Sequence, residues 1–175
     1  MLFRYYRQLV AQVEQWTGEM NGRYSAYLAC RKGCDACCQR KFTVTAVEAY
    51  NIALAYRKLA PEIRLRVEQP KASCAFLVDG ACSVYESRPI ICRTFGLPSL
   101  HRDDNDEGVV TWCDLNFTTV GEGFALQPDG IIDVDTLNTK LTGVNGLFVR
   151  ESGLADRRFE MEEIHPLDPG PQSND

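Results

Sequence analysis

The run CRKGCDACC places four thiols, Cys30, Cys34, Cys37 and Cys38, within nine residues. Four more follow at Cys74, Cys82, Cys92 and Cys113. Thiolate is a soft ligand, and tetrahedral zinc and iron–sulfur sites are commonly built from sets of four sulfurs. Eight cysteines suffice for two such sites, or for one site with spare thiols. The adjacent pair Cys37 and Cys38 bears on the choice. Neighbouring side chains leave the backbone in different directions, so both binding a single ion would be strained. The pair argues for two sites, for a multinuclear cluster, or for one structural free thiol. The expected ligands come from both halves of the set, and a metal there would tie residues 30–38 to residues 74–113 and add to stability.

Two-pair zinc motifs usually repeat C-x2-C. Only Cys34 and Cys37 have that spacing here, and the later cysteines are spread widely. That favours an iron–sulfur cluster, 4Fe-4S first, over zinc. Disulfides fit less well, because adjacent cysteines are poor partners for each other. The opening stretch MLFRYYRQLVAQVEQW is broken by Arg4, Arg7, Gln8 and Gln12, which suits neither a signal peptide nor a membrane span. The expected location is therefore the cytoplasm, where thiols stay reduced, with no membrane partner. Cys30-x3-Cys34-x2-Cys37 has the spacing of a radical-SAM loop. Ala36 stands where that loop carries an aromatic, however, and Cys38 follows at once. The remaining chain, about 140 residues, is also too short for the βα barrel of those enzymes. His101 and His165 are isolated, and no phosphate loop, dinucleotide fingerprint or nucleophile elbow is present.

The formal net charge of −5 disfavours nucleic acid as a partner. Arg31, Lys32, Arg40 and Lys41 nevertheless flank the first cysteine run. A four-thiolate site carries a net charge of about −2, which such cations would offset while lowering thiol pKa values. Arg88 and Arg93 lie close to Cys92 in sequence. They are expected to hydrogen-bond thiolates or an anionic substrate, with an ordinary ion pair to nearby acidic residues as the alternative.

These ligands need elements to hold them. With 45% hydrophobic and 25% charged residues over 175 positions, the chain suits one soluble domain spanning 1–165, with a disordered tail over 166–175. Apolar residues from Leu2 to Trp16 recur with helical period, and Asn21-Gly22 is expected to break that helix. A second helical piece through Tyr24, Tyr27 and Leu28 would lead into Cys30, and Gly33 predicts a turn around the first ligands. Thr45 and Glu48 form a capping box for a helix burying Ala49, Ile52, Ala53 and Tyr56. Pro61 opens a short helix. Asp79-Gly80 predicts a β-hairpin between Cys74–Val78 and Cys82–Tyr85. A two-residue loop would put Cys74 and Cys82 on opposite faces of that hairpin, and a three-residue loop on the same face. Ser87 is expected to cap a helix carrying Cys92 and stopped by Gly96. Residues 101–108 read as an acidic loop, 109–113 as a short strand, 117–130 as loop, and 135–141 as a short helix. Trp112 reads as core first and as a shield beside Cys113 second. The expected fold class is α+β, mainly helical with a small β-hairpin or sheet, organised around the cysteine-ligated site.

The segments CRKGCDACC and CAFLVDGACSVYESRPIICRTF, followed by Cys113, resemble a bacterial cysteine-cluster family of the YkgJ type, over about residues 25–115. That family is described as zinc- or iron-chelating. The resemblance assigns Cys30, Cys34, Cys37 and Cys38 to its first motif and Cys74, Cys82 and Cys92 to its second. Tyr85, Arg88, Pro89 and Arg93 stand in their expected places, and Cys113 fits the late position. The family is related to flagellin lysine N-methylase, which is similar in its cysteines and larger. This relation implies S-adenosylmethionine-dependent methylation of a protein substrate as an alternative function. A structural zinc module that presents a face to a protein partner is a further alternative.

Overall fold

A buried carboxylate organises the centre of the fold. Thr45 precedes helix α2 (Ala46–Arg57) with the expected capping box. Glu48 Oε2 accepts from the Thr45 amide at 2.9 Å and from its hydroxyl at 2.8 Å. Its other oxygen accepts from the amide of Ile90 at 2.8 Å, at the start of the short helix α4 (Ile90–Thr94) that carries Cys92. One side chain thus satisfies orphan donors at two helix starts. Ser87 is not the cap expected for α4. It ends a 3-10 turn, Tyr85–Ser87, and Pro89 takes the N-cap position because the reach of Glu48 replaces a local cap.

The computed structural model describes residues 3–31 and 33–168. Leu2, Lys32 and residues 169–175 of the expected tail lie outside them. Helix α1 (Arg4–Arg23) runs through Asn21-Gly22, where a break was expected. Burial of Met20 in the last turn and of Tyr24 just after it outweighs the weak helix preference of that pair. Helix α3 (Pro61–Val67) begins at the expected proline. Helix α5 (Val134–Ser152) is far longer than the expected 135–141. Asp133 caps it through the Thr136 amide at 2.9 Å, and Gly153 at φ 69° ends it. Leu137, Leu141, Asn145 and Phe148 form its buried stripe, which carries the helix past Gly143 and Gly146. Asn145 Oδ1 in turn accepts from the Val47 amide at 3.0 Å, locking α5 onto the start of α2.

The strands are short. β1 (Thr43–Val44) pairs antiparallel with β7 (Phe159–Glu160). β2 (Leu77–Val78) and β3 (Ala81–Cys82) form the hairpin, with Leu77 opposite Cys82. Asp79 and Gly80 both have positive φ, which gives the two-residue loop. β4 (Ser99–Arg102) lies between antiparallel β5 (Gly108–Thr111) and parallel β6 (Ile132–Asp133). His101 therefore stands on a strand, and the acidic loop shrinks to 103–107. The fold is α+β.

The main core joins α1, α2, α4, the hairpin and α5 around Tyr6, Ile52, Phe76, Ile90 and Leu141. A smaller aromatic core of Met20, Tyr24, Leu97 and Phe117 lies at the far end of α1. Leu167 packs against the main core and Asp168 pairs with Arg57 at 2.7 Å, so the first residues of the expected tail are tied to the body.

Candidate metal centre

Among its described residues the first cysteine run forms no α-helix. An Arg31–Cys34 turn and Gly33 at φ 94° wrap the chain, and Ala36–Gln39 form a 3-10 turn that carries Cys37 and Cys38. The Cys74 amide then donates to the Cys38 carbonyl at 2.7 Å, joining the second cysteine segment to the first. Cys74 precedes β2 in a turn closed by Leu77 N–H to the Cys74 carbonyl at 3.0 Å. The hairpin alternation therefore does not reach it, and the two-residue loop does not separate it from Cys82.

All eight thiols are free. Cys30 and Cys34 are exposed and the other six are half-buried. The charges each thiol feels sort them into two neighbourhoods. Burial raises Cys92 well above its ordinary value, followed by repulsion from Cys74, Cys37 and Cys82. Burial likewise raises Cys74 and Cys82, and Cys82 also feels Cys74 and Cys37. The Cys38 hydrogen bond is the largest influence on Cys37, which is held down to about 6, while the same bond pushes Cys38 up. Cys38 also feels Cys74 and Cys82. The other neighbourhood is Cys30, raised by burial, which feels Cys34, Cys113 and, again, Cys37. Cys37 is common to both groups.

The second neighbourhood closes on Gly96 and Asn116. A Cβ at Gly96 would stand 3.1 Å from Cys30 Sγ, 3.2 Å from Asn116 Nδ2 and 3.4 Å from Cys113 Cβ. Buried Asn116 donates to the Gly96 carbonyl at 2.6 Å and to Cys30 Sγ at 3.5 Å, and accepts from the Ala29 amide at 2.8 Å. Asn116 lowers the Cys30 pKa against the burial that raises it. Neither role was anticipated. Gly96 was expected only as a helix stop, and Asn116 sits in a stretch, Cys113-Asp-Leu-Asn116, whose spacing was the one available signal.

Arg93 is buried and fully engaged. It donates to Arg88 O at 2.9 Å and Glu86 O at 2.7 Å, and pairs with Glu14 of α1. Arg88 bonds Glu14 at 3.2 Å and lies 3.8 Å over the Tyr85 ring. Its charge also lowers the Cys82 pKa against burial. Trp112 is 41% exposed and edges onto Phe117, so it belongs to a surface rim rather than to the core.

Residues 29–114 match a family model, CxxCxxCC, described as a "putative zinc- or iron-chelating domain". This segment is a CxxCxxCC domain. Seven of its cysteines lie in the two motif-bearing segments and Cys113 sits at its far end, so the domain boundary encloses the whole thiol set. No curated protein and no solved structure matches the chain. Among the described residues no three Cys, His, Asp or Glu side chains already stand at metal-binding geometry. The donors of the CxxCxxCC domain fit a soft metal in type, as eight free thiols gathered in two neighbourhoods. The buried Tyr6 hydroxyl fits too: it has no hydrogen-bond partner among the described residues, and it feels the charge of Cys92. No helix among the described residues is long and apolar enough to cross a membrane.

Proposed function

We propose that this chain is a cysteine-ligated metal protein that holds an iron–sulfur cluster, 4Fe-4S first, with zinc as the alternative. Cys38, Cys74, Cys82 and Cys92 are the inner ligands, Cys30, Cys34 and Cys113 form a more open group, and Cys37 is available to either. The supporting observation is the convergence of Cys74, Cys82 and Cys92 on the Cys37-Cys38 doublet, with the Cys74 amide bonded to Cys38 O. A cytoplasmic setting suits eight free thiols. Arg88 offsets thiolate charge at Cys82, and Arg93 holds the backbone between Cys82 and Cys92 by its bonds to Glu86 O and Arg88 O.

Anaerobic purification with metal and acid-labile sulfide analysis tests this. Iron with a matching amount of sulfide is the expected result. Zinc without sulfide overturns the cluster and leaves chelation standing. No bound metal overturns the proposal as a whole. Arg93→Ala should lower metal retention, and unchanged metal content refutes its role.

A further inference from the structure

A groove of about 850 Å³ runs along the side of the molecule that carries Cys113. Its size falls in the range of small-molecule sites. Its lining combines the apolar side chains of Phe42, Ile91, Phe95 and Trp112 with the cations Arg40 and Arg158. The Phe42 and Phe95 rings meet on one wall in a tilted contact, centroids 5.4 Å apart, and the Arg40 guanidinium lies 5.4 Å over Phe95. Among the described residues no carboxylate pairs with Arg40. Arg158 lines the same groove and is held by donating to Thr43, Nε to Oγ1 at 2.8 Å. Ile91 and Trp112 line the same groove and are 36% and 41% exposed, so water covers apolar surface there. The carboxylates on the lining are Glu48 and Asp114, and Glu48 is buried and occupied by its helix-start bonds. A groove with unpaired positive charge in a chain of net charge −5 is a local feature and not a general one.

We propose that this groove binds a small anionic amphiphile, its carboxylate at Arg40 and Arg158 and its apolar body over Phe95, Ile91 and Trp112. The proposal is independent of any metal at the cysteines.

Octanoate, octanol and octylamine are the probes, titrated into the purified chain while Trp112 fluorescence is followed. Octanoate should give a saturable change that Trp112→Phe removes. Arg40→Gln should weaken octanoate about tenfold, the value of one charge-assisted hydrogen bond, and leave octanol unchanged. Asn138→Tyr, an added bulk from an exposed position of α5 on the lining, should block binding. An unaltered far-ultraviolet circular dichroism spectrum and Tm in each variant show that the fold is intact. Octylamine or octanol binding as tightly as octanoate overturns the proposal, as does octanoate binding that survives Arg40→Gln or keeps its signal in Trp112→Phe.

Discussion

Replacing Gly96 by alanine strikes the cysteine site through the backbone and through a contact at once. Gly96 has φ 94°, where an L side chain costs about 1–3 kcal/mol. The new Cβ would meet Cys30 Sγ at 3.1 Å and Asn116 Nδ2 at 3.2 Å, so both must give by a few tenths of an ångström. Asn116 cannot move freely, because it is buried and bonded to Gly96 O and to the Ala29 amide. Overpacking of this kind costs about 1–3 kcal/mol. The combined penalty is about 3 kcal/mol, or a fall in Tm of roughly 6–12 °C for a domain of this size. Gly143→Ala is the control. Its Cβ would meet nothing within 4 Å inside α5, so it should stabilise by about 0.5–1 kcal/mol. Thermal melts of both variants, with metal content measured beside them, give the readout. Gly96→Ala should lose metal from the Cys30 group as well as stability. If it melts with the parent protein and keeps its full metal, the assignment of Gly96 as the spacer between Cys30, Cys113 and Asn116 is wrong.

Glu48→Ala strands the Thr45 and Ile90 amides and should cost about 3–5 kcal/mol in chemical denaturation, since each buried orphan costs about 1–3 kcal/mol; a cost under about 1 kcal/mol would contradict the two-helix cap. Tyr6→Phe removes an unpartnered buried hydroxyl, so it should leave the metal-free protein as stable as before or slightly more so. In the loaded protein the same change should weaken metal retention if the phenol donates toward Cys92, and identical effects on both forms would remove that role. Burial raises Cys74 and Cys82 above 9.0 and Tyr6 above 10.0, so the folded metal-free chain prefers their neutral forms. The stability they lend is complete below pH 9 and is lost as pH rises through the raised values. Tm of the metal-free protein should therefore fall above pH 9, and a flat alkaline profile would refute it.

Local signals carried most of the elements. The Thr45–Glu48 box, Pro61 and Asp79-Gly80 are short-range chemistry, and each element they predict is present. Long-range packing decided the rest. The Asn21-Gly22 break fails because Met20 and Tyr24 are buried against a core formed with Leu97 and Phe117. Helix α5 outruns its expected end because its stripe continues through Asn145 and Phe148, and Asn145 is satisfied by α2. The eight cysteines were visible as a donor set, but their sorting was not. It depends on the turn at Cys74, on the Cys38 carbonyl and on Gly96, none of which alternation or helical period encodes. Asn116 acts on Cys30 from 86 residues away, a separation no window spans.

The Cys74–Cys38 backbone bond also gives the fold a waist. Everything from Gln39 to Ser73, including β1, α2 and α3, leaves and returns through that one closure. The turn after α3 is exposed at Glu68, Gln69 and Pro70. Closure entropy grows only with the logarithm of loop length, so each doubling costs about 0.6 kcal/mol. Extra residues spliced between Gln69 and Pro70 therefore lengthen an excursion whose ends are already fastened. The spacing between the two cysteine segments can drift by such additions without disturbing the thiols at its neck.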